Sequence, residues 1–247
     1  MGALHRGHAE LIRAAASECE ECVVSIFVNP TQFGPSEDFE KYPRMEQSDF
    51  ELCEKSGATL VFCPTVQEMY PRKTTTIHVA EVTEFWEGAH RPGHFDGVAT
   101  VVAKLFNVLR PDLAYFGLKD FQQCAVLGRM VEDLDMPIEL RFLETVRESD
   151  GLALSSRNAY LSEADRRIAP LLFQVLQSCS QRIRKGEEVD AVLASEIQVL
   201  SGSGFSVDYL ALVDRSSLRP LSTLQKGARL IVAAKLGMTR LIDNCEA

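Results

Sequence analysis

Two histidines near the start of the chain carry the clearest chemical signal. The segment MGALHRGH at 1–8 places His5 and His8 in a His-x-Gly-His pattern. His8, Leu11, Ile12, Ala15 and Cys19 follow at helical spacing, so both imidazoles are predicted at a helix N-terminus. Backbone N–H groups and the helix dipole favour a phosphate there. Gly7 has no Cβ and lets a ligand approach the backbone. His5 and His8 stand one turn apart, so both rings can donate to phosphate oxygens. This chemistry suits attack on the α-phosphorus of a nucleoside triphosphate. Taken alone, such a pair is more often solvated or part of a metal site. A second constellation, Leu154-Ser155-Ser156-Arg157, tips the balance. Its hydroxyls and guanidinium suit an anionic phosphate chain, and Lys119 adds a further cation.

These residues need elements to hold them. After the first helix, Cys22–Val28 reads as a buried strand ending in the loop Asn29–Gly34. A helix is predicted over 45–56 and a strand over 59–62. Thr74–Val79 alternates like a strand and 81–88 looks helical. Val98, Val101, Val102, Leu105, Phe106 and Leu109 form a helical stripe. Asp112–Phe116 reads as a strand, Asp120 as the cap of the next helix, and Met136–Phe142 as another strand. Strand–helix alternation predicts an α/β fold with a parallel sheet. Ligands bind at the carboxyl ends of such strands, and Asn29, Gln32, Lys119 and Asp120 all follow one.

The pattern changes near residue 146. Helices are predicted over 162–184 and 187–200, split at Lys185-Gly186. Strand-like runs follow at Ser206–Val213, Ala228–Ala234 and Thr239–Asn244. The expectation is a Rossmann-like domain over 1–146 and a smaller α+β domain over 147–247, the latter acting as a lid over the site.

The chain has 247 residues and a net charge of -9, which argues against a broad nucleic-acid surface. No apolar run is long enough to span a bilayer. Seven cysteines without a paired framework fit reduced thiols and a cytoplasmic protein. Cys19 and Cys22 have C-x-x-C spacing, yet packing as small hydrophobes accounts for them better than a metal site.

Longer blocks make a resemblance specific. They are MGALHRGH at 1–8, SIFVNPTQFGPSEDFEKYPR at 25–44, RPGHFDGVATVVAKLFN at 91–107, FGLKDFQQ at 116–123 and TVRESDGLALSSRNAYLS at 145–162. In this order they resemble the pantothenate synthetase (pantoate–β-alanine ligase) family over nearly the whole chain. The resemblance implies a nucleotidylyl-transferase-type domain that joins pantoate to β-alanine with ATP through a pantoyl-adenylate. It implies that Met1, Gly2, Ala3, Leu4, His5, Arg6, Gly7 and His8 meet ATP, with His8 as proton donor. Gly117, Leu118, Lys119, Asp120, Val146, Leu154, Ser155, Ser156 and Arg157 complete the implied ATP site. His5, Lys119 and Arg157 join His8 as catalytic residues. Gln32 matches the glutamine holding pantoate and β-alanine, and Gln123 the one holding pantoate. Asn29, Arg91 and His94 lie in matched substrate motifs. Mg²⁺ is expected with ATP, without assigned ligands, and a homodimer is implied.

The sequence departs from that family in two places. Leu118 stands where the family has Glu in Gly-Glu-Lys-Asp, which loosens Lys119 unless another group restrains it. The family also has about one strand and one helix ahead of the MGALH segment. The expectation is therefore an incomplete chain; a complete chain of these residues would leave strand edges and apolar faces uncovered, with weakened stability and lost activity expected. Two other readings of the residues are a different nucleotidyl transferase and a non-catalytic nucleotide-binding or dimerisation relative.

Overall fold

The computed structural model describes residues 2–34, 39–40 and 42–247. The chain divides into two compact units, Met1–Leu118 with Gln122–Glu144, and Lys119–Phe121 with Thr145–Ala247.

In the first unit, α1 (Arg6–Glu18) buries Ala9 and Ile12 and precedes β1 (Val23–Ser25). Next come α2 (Glu46–Ser56) and β2 (Leu60–Phe62). α2 stops at Gly57, whose φ of 98° gives the left-handed turn that glycine tolerates best. β1 pairs with β2 in parallel, Val23 opposite Leu60. Ile12, Cys22, Val24, Ile26 and Cys53 form the core beneath. Two short helices follow, α3 (Val66–Met69) and α4 (Glu87–His90). α5 (His94–Leu109) is buried on nearly every side over Phe95–Ala103, the signature of a central helix rather than a surface one. β3 (Leu113–Gly117) and β4 (Glu139–Leu143) also pair in parallel, joined by α6 (Phe121–Asp133).

The second unit opens with a tight turn whose Arg147 and Ala153 bridge. It continues with α7 (Glu163–Ile168), α8 (Leu171–Arg184) and α9 (Val189–Gly202). β5 (Phe205–Val213), β6 (Arg229–Leu236) and β7 (Thr239–Glu246) form an antiparallel sheet in that order. Leu172, Val175, Leu176, Cys179 and Ile183 recur every three or four residues along α8. They pack with Leu212, Leu230 and Val232 of the sheet in one core cluster.

The protein is thus mixed α/β, with parallel strands first and a smaller antiparallel sheet at the C-terminal end. Several details differ from the sequence expectation. Among the described residues the four parallel strands form two separate pairs. Val23 and Leu60 are 42% and 51% exposed. Residues 74–79 form no strand, and the N–H of Ile77 donates to Thr100 Oγ1 of α5 at 2.9 Å. Over 81–88 only residues 87 and 88 are helical, at the start of α4, because Glu81 and Trp86 sit at φ 61° and 51°, where a right-handed helix cannot continue. The long helix expected over 162–184 breaks after Ile168 into α7 and α8, since Pro170 has no N–H to donate. Asp120 lies inside a 3-10 turn, Leu118–Asp120, that runs straight into α6, so it is not the isolated cap residue expected.

Candidate active site

Each unit brings its own expected residues into order. In the first, His5 is the N-cap of α1, with extended backbone at φ -137° and ψ 177°. Its Nδ1 accepts the Gly7 N–H at 3.1 Å. His8 Nδ1 accepts the His5 N–H at 3.2 Å, and the His5 carbonyl accepts from the N–H groups of His8 and Ala9. The two rings lie 4.1 Å apart, tilted by 40°. The imidazoles therefore do the work of a Ser-x-x-Glu capping box. An Nδ1 that accepts a hydrogen bond carries no proton, so each neutral ring holds its proton on Nε2. Both histidines are fixed as Nε2–H donors. Arg6 is exposed, while Gly2 and Ala3 are buried and Leu4 and Gly7 half-buried. Met1 lies outside the described residues.

Asp49 holds the segment leading into this turn. It is 2% exposed in the first turn of α2. Its Oδ2 accepts the Ala3 N–H at 2.9 Å and its Oδ1 the Leu4 N–H at 2.7 Å. Sequence reasoning missed it, because an acid in a helix first turn ordinarily complements the dipole.

A second cluster surrounds Gln32. Asn29, 2% exposed, caps a 3-10 turn over Pro30–Gln32. Its Oδ1 accepts from Thr31 N, Thr31 Oγ1 and the Tyr70 hydroxyl. Its Nδ2 donates to Gln32 Oε1 at 3.3 Å and to the Gly97 carbonyl at 3.1 Å. Burial pushes the Tyr70 phenol up from its ordinary pKa, which keeps it a neutral donor. A Cβ on Gly97 would lie 2.3 Å from the Thr31 carbonyl oxygen, so only glycine lets α5 touch this turn. With Oε1 engaged by Asn29, the Gln32 amide turns its N–H donors elsewhere. His94 Nδ1 lies 2.8 Å from the Gln32 carbonyl, and Arg91 Nη1 lies 3.0 Å from His94 Nε2. Arg91 also faces Glu87 Oε2 at 3.9 Å.

Gln122 staples the loop that carries Glu87 and Arg91. It is 6% exposed, donates to the carbonyls of Val82 and Phe85, and accepts the Glu87 N–H at 2.9 Å. Its neighbour Gln123 is half-buried on α6, and among the described residues its amide makes no internal hydrogen bond.

Gly117 and Leu118 belong to the first unit, and Lys119 and Asp120 to the second. The Gly117 carbonyl accepts the Cys124 thiol at 3.5 Å, and Leu118 is 6% exposed. Lys119 Nζ lies 3.7 Å from Asp120 Oδ1. The Lys119 carbonyl accepts from Asn244 Nδ2 at 3.0 Å. In the tight turn after β4, the Val146 carbonyl accepts the Leu154 N–H at 3.0 Å. Leu152 and Ala153 are buried, so this segment is anchored rather than loose. Ser155 caps the 3-10 turn Ser156–Tyr160, its Oγ accepting the Arg157 N–H at 3.2 Å. That leaves its hydroxyl proton as a donor. Arg147 pairs both guanidinium nitrogens with Asp243 at 2.6 and 2.9 Å and lies 3.5 Å over the Phe173 ring.

Among the described residues, no group of three or more His, Cys, Asp or Glu side chains could hold a metal ion. A Mg²⁺ cage built of protein carboxylates therefore does not fit what these residues offer.

The family model for pantoate–β-alanine ligase matches residues 1–246. The chain belongs to this family. It is 56% identical over 246 residues to a pantothenate synthetase of Rhizorhabdus wittichii, covering 99% of this chain and 87% of that one. An Acidiphilium cryptum pantothenate synthetase is 52% identical, with 99% and 88% covered. A crystal structure of pantothenate synthetase from Thermus thermophilus superposes with a TM-score of 0.96 at 48% identity, covering 100% of this chain and 90% of that one. A pantoate–β-alanine ligase from Francisella tularensis, complexed with β,γ ATP and β-alanine, gives a TM-score of 0.83 at 32% identity, with 100% and 87% covered. As a member of the pantoate–β-alanine ligase family, the chain is a ligase. No described helix is long and apolar enough to cross a membrane.

Proposed function

We propose that this ligase condenses pantoate with β-alanine to give pantothenate, using ATP and releasing AMP and pyrophosphate. Family membership and the relative seen with ATP and β-alanine support the reaction. The observation that carries the phosphate chemistry is the capped histidine pair, with both Nδ1 atoms accepting backbone N–H groups.

In the first step a pantoate carboxylate oxygen attacks the α-phosphorus. A P–O bond forms to the acyl oxygen, and the bond to pyrophosphate breaks. A carboxylate is ionised at neutral pH, so this step needs alignment and charge dispersal rather than a base. His5 and His8 donate hydrogen bonds from Nε2 to phosphate oxygens, and the His8 donor stabilises the departing pyrophosphate. Lys119, Ser155, Ser156 and Arg157 meet the remaining phosphate charge. The backbone at Gly117, Leu118 and Asp120 and the contact at Val146 complete the nucleotide site, with Gly2, Ala3, Leu4, Arg6, Gly7 and Leu154. Gln32 donates its amide N–H groups to pantoate and β-alanine, and Gln123 holds pantoate from α6. Asn29, Arg91 and His94 hold Gln32 and contribute to substrate binding.

In the second step the β-alanine nitrogen attacks the acyl carbon. A C–N bond forms, the C–O bond to AMP breaks, and the amine proton passes to the released AMP phosphate or to water. Mg²⁺ bound to ATP would disperse the phosphate charge. The protein works as a cytoplasmic homodimer.

Pantoate-dependent exchange of labelled pyrophosphate into ATP tests the adenylate. Exchange that needs pantoate but not β-alanine is expected. Pantothenate formation without any such exchange would remove the adenylate from the mechanism.

A further inference from the structure

Leu118 offers no carboxylate to its neighbour Lys119, and the side-chain restraint on that lysine is slight. Asp120 Oδ1 lies 3.7 Å from Nζ, and its side chain is 49% exposed. A pair that long and that wet contributes little. The backbone is held far more firmly. Asn244 of β7, 3% exposed, donates from Nδ2 to the Lys119 carbonyl at 3.0 Å. Its Oδ1 accepts from Arg229 Nε at 2.6 Å. Chemistry fixes this orientation of the amide. Arg229 has only donors and the Lys119 carbonyl only accepts, so a flipped Asn244 would satisfy neither.

The support extends on both sides. Arg229, 3% exposed, places its guanidinium 4.8 Å over the ring of Phe121, two residues past Lys119. The Asn244 N–H donates to Asp243 Oδ1 at 2.8 Å, and Asp243 is the partner of Arg147. β6 and β7 hold Ile231 opposite Asn244 in register. Every one of these groups belongs to the second unit. The C-terminal sheet thus fixes the lysine from its backbone, while its side chain has only the long, exposed pair with Asp120.

We propose that Asn244 is a positioning residue for Lys119, setting the direction in which its ammonium meets the ATP phosphates. This rests on the reading that Lys119 contacts those phosphates. Asn244→Asp is nearly isosteric. It keeps an acceptor for Arg229, but puts a carboxylate without a donor against the Lys119 carbonyl. Asn244→Ser removes the amide without adding charge and serves as the second variant.

The test is a double-mutant cycle with Lys119→Ala on the full chain. It reads KM for ATP, KM for β-alanine and pantoate-dependent exchange. With Lys119 present, either Asn244 variant is expected to raise KM for ATP and slow exchange by roughly five- to tenfold, the size of one lost hydrogen bond. KM for β-alanine should stay put. In the Lys119→Ala background the same variants should change exchange by less than about twofold, since the group they position is gone. Equal losses in both backgrounds would show a merely structural role and overturn the inference. So would wild-type kinetics for both Asn244 variants beside an impaired Lys119→Ala, and that outcome leaves the Lys119 reading intact. A Lys119→Ala enzyme that exchanges at the wild-type rate would overturn the Lys119 reading and the inference together.

Discussion

In the proposed site His5 would serve the helix and the chemistry with different atoms of one ring. Nδ1 closes the helix start by accepting the Gly7 N–H, and Nε2 is left as a hydrogen-bond donor. The two roles separate by substitution. Asn ranks among the best N-cap residues, so His5→Asn should keep the unfolding free energy within about 0.5 kcal/mol of wild type. It has no imidazole, so pyrophosphate exchange should fall on the order of a hundredfold, as when one oxyanion donor is lost. Urea unfolding and the exchange assay measure the two effects on the same preparation. A variant that loses stability and activity in step would make the histidine a cap and nothing more.

At the scale of elements, the proposed substrate cluster depends on how closely α5 approaches the turn over Pro30–Gln32. A methyl group at Gly97 would sit 2.3 Å from the Thr31 carbonyl oxygen and 2.7 Å from Gln32 N. Those atoms are backbone and cannot swing away. Gly97→Ala should therefore cost about 1–3 kcal/mol, the range for overpacking, and push Gln32 off its Asn29 contact. KM for pantoate should rise several-fold while KM for ATP changes less. Thermal unfolding with steady-state kinetics checks both. Unchanged KM for pantoate would detach this turn from the substrate. The loop before α5 follows the same logic. Trp86 at φ 51° and the buried Glu87 hold an awkward backbone, and Gln122 meets three of that loop's polar groups from α6.

At the scale of the whole molecule, the titrating groups set a window of stability. Backbone and hydroxyl donors from Ser217 and Ser216 hold the Asp214 carboxyl down at about 2, and the Arg166 hydrogen bond lowers Asp150. A depressed carboxyl stabilises the fold above its unfolded pKa of about 4, and that stabilisation is lost as pH falls through the folded value. At the other end, desolvation raises the Cys179 thiol to about 12 and the Cys245 thiol to about 11. A raised thiol favours the fold below its unfolded pKa of about 8.5 and costs stability as pH climbs above it. Unfolding free energy should therefore be flat between about pH 4.5 and 8 and fall on both sides. Asp214→Ala should flatten part of the acid limb, by on the order of 1–2 kcal/mol after solvent screening. Urea titrations at pH 3, 6 and 9.5 measure it. An acid limb of the same depth in the variant would show that Asp214 does not shape it.

The sequence by itself determined what depends on neighbours within one helical turn or one strand. The histidine pair at a helix start, the Ser155 turn, the presence of parallel strands ahead of an antiparallel sheet, and the membership of Asn29 and Gln32 in one loop all follow from local spacing. The breaks at Glu81, Trp86 and Pro170 and the loss of a strand over 74–79 did not. Over 74–79 a hydrogen bond to Thr100 of α5 outweighed local propensity, while positive φ at Glu81 and Trp86 and the missing N–H of Pro170 ended the helices. The same holds for the residues that position the site. Asp49 reaches back 46 residues to Ala3, Gln122 reaches 35 to Glu87, and Asn244 reaches 125 to Lys119. Each meets a backbone group rather than a matching side chain. A backbone amide or carbonyl is present in almost every residue, so a bond to one leaves no pattern in the letters, and only the tertiary structure decided which was met.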